Sequence, residues 1–219
     1  MSFRAPERVA ALLLLADGRF PGGGHAHSGG LEAAVAAGCV TDLTGVEAFL
    51  TGKVVTTGLV DAWLAAAACA GSDPGRLEAE CEARCLSPAL RAAGRSLGRG
   101  LRRAAAPSWP EVAAVTVEQH PVVLGLVARA AGLVPEEAAA LAVHGLVAGG
   151  VSASVRLLRV DMADAMAVGA RLAPLAGSVA ARAASAAAGP IGDGPAWSAP
   201  AVERRAEEHA RWEVRLFAS

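Results

Sequence analysis

The sequence predicts an all-α fold: a single-domain bundle of roughly eight to ten helices spanning residues 1–219. Three observations carry that expectation. Alanine dominates the chain, and with Leu, Arg and Glu it supplies the residues most favourable to helix. Strand-formers are sparse: there is no tyrosine, and Trp and Phe number four each. Apolar residues recur at helical spacing between Gly and Pro breaks. A 219-residue chain that is 53% hydrophobic can bury one substantial core, and it is short of a clear two-domain length.

The elements follow in order. Pro6 suits the first position of a helix, in which Val9, Leu12, Leu13 and Ala16 form one apolar face and which Asp17-Gly18 ends. The stretch FPGGGHAHSGG is too glycine-rich to be helical, and LEAAVAAG is a short helix ending at Gly38. Thr41 or Asp42 caps a longer helix with Val46, Phe49, Leu50 and Val54 at helical spacing; Gly52 and Gly58 weaken it or let another helix approach. Gly71–Gly75 is a loop. Ser87-Pro88 starts a helix with Leu90, Ala93, Leu97 and Leu101 on one side and Arg91, Arg95, Arg99 and Arg102 on another. Pro107 and Pro110 bracket a break. Helices are expected from about Pro121 to Ala131, from Pro135 to about Val147, and across 150–187 in one or two pieces. Residues 186–200 read as a flexible connection. The closing helix, roughly 200–216, repeats Val202, Ala206, Ala210 and Val214 every four residues.

Composition narrows the function classes. The net charge is −1, so no global field draws the chain to nucleic acid or an anionic membrane, and no aromatics interleave with its basic residues. The apolar run near the N-terminus is short, begins at Glu7-Arg8 and ends at Asp17, which fits a mature cytoplasmic N-terminus better than a signal peptide. The longest uncharged stretch, Ala138–Val155, just reaches membrane-spanning length, but His144, three glycines and two serines mark it as a buried helix and its turn. Cys39, Cys69, Cys81 and Cys85 form no CxxC pair and read as free thiols. Cys81 and Cys85, four apart, could share a helix face and hold a metal, or be two small core hydrophobes.

The loop from Pro21 to Glu32 is the most unusual stretch. Its glycines permit close approach of a partner. A phosphate cradle is excluded because no GxxxxGK[ST] occurs and no strand precedes the loop. Ser28 lacks the G-x-S-x-G of a nucleophile elbow. A partner-binding loop remains, and beside it a metal-binding or hydrolytic site on His25, His27 and Glu32. The arginine stripe reads either as a solvated face or as carboxylate-gripping contacts across an interface. His120 and His144 read as capping or core histidines, and His209 with Trp212 as a packing or interface pair. Asp161 and Asp164 read as helix-start carboxylates. No carboxylate couple stands out for acid–base work.

The stretch from Leu15-Ala16-Asp17 through Phe20-Pro21 to Glu32 resembles the N-terminal signature of the UreF family of urease accessory proteins. Further landmarks are similar and lie in the family's order: Ser87–Arg99 for its arginine-bearing helix, His120-Pro121-Val122-Val123-Leu124-Gly125, Val151-Ser152-Ala153-Ser154-Val155-Arg156-Leu157, and the Arg215-Leu216-Phe217-Ala218-Ser219 terminus. The resemblance covers essentially the whole chain. It departs at His25, where the family has Phe or Tyr, and at Arg159–Met162, where the family often has a P-L-G-Q-like stretch. The resemblance implies a cytoplasmic, helical, homodimeric protein without enzymatic activity, cofactor or resident metal. It implies a chaperone-like scaffold that joins the accessory protein UreD (also called UreH), with the GTPase UreG docking on that assembly. The complex then acts on apo-urease, so that carbon dioxide and nickel form its carbamylated-lysine dinickel centre. The expected partner contacts are His25, His27, Ser28, Gly29, Leu31 and Glu32 of the loop, Arg91 and Arg95 of the stripe, and Arg215, Leu216, Phe217 and Ser219 of the tail. A free tail that orders on binding implies that deleting 215–219 weakens assembly and leaves the melting temperature nearly unchanged.

Overall fold

Prolines and short acidic or hydroxyl caps set where most helices begin. The structure, a computed structural model, describes residues 5–218 apart from the side chains of Ala5, Pro6 and His25. His25's side chain and Ser219, both expected contacts, therefore lie outside the described residues. Among those residues there are ten α-helices and no strand, and 72% of them are helical when short 3-10 turns are included. They are α1 (Ala5–Ala16), α2 (Leu31–Ala36), α3 (Leu43–Val55), α4 (Thr57–Ala70), α5 (Pro74–Ala83), α6 (Pro88–Ala105), α7 (His120–Ala130), α8 (Pro135–Leu158), α9 (Met162–Ala187) and α10 (Pro200–His209). Four N-terminal caps bond as their residue types predict. Asp42 accepts from the Gly45 N–H, Asp73 from Arg76, Ser87 from Leu90 and Asp161 from Ala163. Each satisfies a backbone donor that the helix cannot pair internally.

Helix α4 is the axis of the molecule and packs on α7, α8 and α9. Its run Ala62–Cys69 is buried throughout, and the small side chains let neighbouring backbones come close. A Cβ on Gly125 of α7 would collide with the Ala65 carbonyl oxygen, and one on Gly98 of α6 with the Glu118 carbonyl oxygen. Gly98→Ala is accordingly expected to destabilise the fold by about 2 kcal/mol through overpacking. Urea unfolding of that variant checks it; an unchanged midpoint would contradict the close approach. Helix α8 is, by itself, long and apolar enough to cross a membrane, with a mean hydropathy of 1.6 over a window that is half buried in the molecule. It packs on α4 and α9.

Several sequence expectations need correction. Helix α1 is rotated: Val9 and Leu13 are 51% and 64% exposed, while Leu12, Leu15 and Ala16 pack on the core. Leu12–Leu15 is apolar all round, so periodicity does not fix which side faces in. The long helix after Asp42 breaks at Thr56 into α3 and α4, bent by 44°. Gly58 sits at that bend, with Leu146 and the Lys53 carbonyl close around it. Cys81 lies on α5 but Cys85 follows its end, so the two do not share a helix face. Burial pushes both thiols up. Finally, α10 stops at His209 instead of running to 216. The chain turns there because the Leu216 and Phe217 N–H groups go to the Glu32 carboxylate, and a continuing helix would have used them internally.

The connection between α9 and α10, read as flexible, is tied at its middle. Arg84 donates to the Pro195 carbonyl at 2.9 Å and stacks 5.0 Å from the Trp63 ring centre. The Gly194 backbone lies so close on that indole that no Cβ would fit.

Candidate functional site

The glycine loop folds through left-handed backbone that side chains rarely adopt. Gly29 and Gly30 have φ of 61° and 90°, and Gly30 delivers the chain into α2. A Cβ on Gly29 would meet the Lys53 ammonium, and one on Gly30 would meet Val202. The requirement is thus both conformational and spatial. Ser28 is buried, and its hydroxyl oxygen accepts from the Glu32 N–H at 3.2 Å. Lys53 donates to the Gly29 carbonyl at 2.6 Å. The loop is pinned from two sides.

Glu32 points inward. Its carboxylate accepts from the Leu216 N–H at 2.7 Å and the Phe217 N–H at 3.0 Å, and meets His209 Nε2 at 2.9 Å. Burial would raise its pKa, but the Leu216 N–H, His209 and the Phe217 N–H outweigh it and hold the carboxyl below its ordinary value. Two further contacts complete the return: the Ala218 N–H donates to the Ala26 carbonyl at 2.7 Å, and Arg156 lies 4.6 Å from the centre of the Phe217 ring. The Trp212 ring packs on His209 at 4.7 Å.

These contacts sort the expected partner residues. His27, Ser28, Gly29, Leu31, Glu32 and Phe217 do come together, but Leu31 is fully buried and Phe217 is 4% exposed. Leu31, Glu32 and Phe217 therefore hold this chain's own loop and tail together, and the reading of 215–217 as a free tail is corrected. An aromatic ring at the end of an amphipathic segment gains more from an adjacent core than from water. Arg215 and Leu216 remain on the surface, beside Val214. Arg91 and Arg95 lie apart and are used internally: Arg91 donates to the Cys85 carbonyl at 2.7 Å and Arg95 to Glu82 at 2.5 Å. Arg99 pairs with Glu118, and Arg102 donates to the Val115 carbonyl. The stripe clamps α6 to its neighbours, which its spacing alone did not disclose. The metal or hydrolytic alternative loses its oxygen donor, because Glu32 already serves three partners. Among the described residues no group of three or more His, Cys, Asp or Glu side chains is placed to hold a metal ion.

Several buried or bonded polar side chains were not singled out as site residues by the sequence. Glu203 is buried and accepts from the Leu86 and Ser87 N–H groups; Glu207 accepts from the Ser87 hydroxyl and the Ala89 N–H. Two carboxylates of α10 thereby sit at the positive N-terminal end of α6. Asp61 was legible as a lone acid inside the apolar run of α4, and Lys53 as the chain's only lysine. Both border a cleft of about 390 Å³ walled by the loop, α3, α4, α6, α7 and α8. Burial pushes the Asp61 carboxyl up to about 6, against the pull of Lys53. Burial also pushes the His120 imidazole down to about 4, helped by nearby His27. A second hollow of about 320 Å³ lies under the tail, bordered by Ala93, Ser96, His209 and Arg215.

Comparison of the sequence with known proteins points to the UreF family. The UreF family model matches residues 40–173. The chain is 42% identical to the urease accessory protein UreF of Mycolicibacterium vanbaalenii, with 96% of this chain and 99% of that one covered. It is 41% identical to that of Mycobacterium sp. strain JLS over the same shares. Against that of Mycobacterium tuberculosis strain H37Rv the identity is 39%, over 78% of this chain and 83% of that one. With a family model over more than half of the chain and relatives above 40% identity over nearly all of it, the chain belongs to the UreF family of urease accessory proteins.

Proposed function

We propose that the chain acts as a cytoplasmic scaffold in urease maturation. In this reading it is a single domain that forms a homodimer, joins UreD (UreH), receives the GTPase UreG, and presents the assembly to apo-urease for nickel insertion. It carries out no catalysis of its own. The full-length similarity to UreF proteins carries the reading. Apolar side chains left outside the core supply surfaces for it: Val9, Leu13 and Leu14 on α1, Met162 and Met166 on α9, and Val214 with Leu216 at the tail. A scaffold of this kind works by raising the effective concentration of its partners, which needs complementary patches more than a reactive cleft.

Co-purification with UreD and UreG homologues from the same source tests it. The expected result is a stable co-eluting complex. Arg215→Ala and Leu216→Asp, both at exposed positions, are expected to weaken assembly at least tenfold, corresponding to ~1.4 kcal/mol, with the melting temperature of the isolated chain unchanged. Failure of the three proteins to associate in any order of mixing would overturn the scaffold reading. Full assembly by both variants would remove only the tail from the interface.

A further inference from the structure

The cleft beside the glycine loop combines space, an apolar wall and one cation. On α8, Gly145 and Gly149 are one turn apart, and a Cβ at either would meet only open space. Leu97, Leu124, Leu141 and Leu146 add the hydrocarbon lining. Into this cleft comes Lys53, the chain's only lysine. One of its three donors is taken by the Gly29 carbonyl. Among the described residues no carboxylate lies at ion-pair distance from it. Asp61 is the acid that influences it, and burial disfavours the charges of both. The volume, about 390 Å³, is in the range of sites for small organic ligands, and a mostly apolar lining with a few convergent polar groups is their usual make-up.

We propose that this cleft binds a small amphiphilic carboxylate, the anion of a short unbranched monocarboxylic acid, with its charged end on Lys53 and its hydrocarbon body along the leucines and the Gly145/Gly149 wall. The chemistry selects that class. An alkylammonium meets repulsion from Lys53. An alcohol brings no negative charge to the lysine. A phosphate or other compact dianion fills neither the volume nor the apolar wall, and finds one cation where it needs several donors. Asp61 and Asp17, both of which border the cleft, oppose the ligand's charge and limit its affinity. The inference stands on the cleft alone and is independent of the scaffold reading.

Calorimetric titration of the full chain near neutral pH with hexanoate, hexan-1-ol and hexylammonium tests it. Hexanoate is expected to bind saturably at one site per chain, hexan-1-ol about tenfold more weakly, and hexylammonium not at all. Lys53→Met should bring hexanoate down to the level of the alcohol, and Asp61→Asn should strengthen hexanoate severalfold. Gly149→Leu, which fills the cleft while improving helix propensity, should abolish binding with helix content retained; it decides the matter if Lys53→Met does not fold. Equal binding of alcohol and carboxylate, no saturation by hexanoate, or unchanged affinity in Gly149→Leu would overturn the proposal.

Discussion

Phe217→Ala is expected to lower the melting temperature by about 10 °C, and removal of residues 215–219 by at least as much. Truncating a buried Phe in a packed site costs about 3–5 kcal/mol, and in a chain of this size each kcal/mol shifts melting by about 2–4 °C. The ring is 4% exposed and lies under Arg156, so the variant loses both its packing and a cation–π contact. Glu32→Ala should do comparable damage by another route. It strands the Leu216 and Phe217 N–H groups and His209, each now bonded to the carboxylate, and a buried donor without a partner costs about 1–3 kcal/mol. Because all these contacts secure one segment, the double variant should lose clearly less than the sum of the singles. Calorimetric melting of the three variants measures this. Full additivity, or melting unchanged in Phe217→Ala, would return the tail to the free state that the sequence suggested.

The second large effect concerns pH. Asp61 has its pKa raised from the ordinary 3.8 to about 6. The folded state therefore holds that proton more tightly, and the associated stability, present below pH 3.8, is lost as pH rises through 6. His120 is the mirror image, lowered from 6.5 to about 4. Its stability is present above pH 6.5 and lost as pH falls through 4. At ~1.4 kcal/mol per pKa unit, each side chain moves stability by ~3 kcal/mol across its window. The two slopes oppose one another and largely cancel in the parent protein. Asp61→Asn should therefore be more stable than the parent at pH 7 by ~3 kcal/mol, with the advantage vanishing below pH 4. His120→Asn should lose the acid-side penalty that the imidazole imposes. Urea unfolding from pH 4 to pH 7, read as the difference from the parent, cancels the contribution of the other carboxylates. Parallel curves for parent and Asp61→Asn would show that Asp61 titrates normally.

How much of this was legible depends on the range of each contact. Helix starts were readable because a cap acts within three residues: Asp42, Ser87 and Asp161 announce α3, α6 and α9 without reference to anything distant. The glycine loop was readable because positive φ leaves a compositional trace. The Thr56 break was readable only in part: Gly58, which sits at the bend, marks a weak point in the helix, but both flanking segments are apolar and no Pro stops the first. The inward turn of Glu32 was not readable, since its partners lie 177–185 residues away. Glu203 reads as one more surface acid of α10 until the fold brings it to the start of α6, 116 and 117 residues off. Periodicity reports which way a side chain faces relative to its own helix; it is silent on which helix end or chain segment waits there.

The Glu32–Phe217 pairing also bears on the order of events in folding. With the partners 185 positions apart in sequence, it closes one of the longest loops in the chain and is expected to form after the helical core has brought the two segments near. A contact absent from the folding transition state leaves the folding rate almost untouched and acts as a brake on unfolding. During synthesis the glycine loop has to wait for residue 217 to emerge, and until then the Glu32 carboxylate stays hydrated and α2 lacks its cover. The segment around Phe217 thus sets the lifetime of the finished molecule more than the speed of its making.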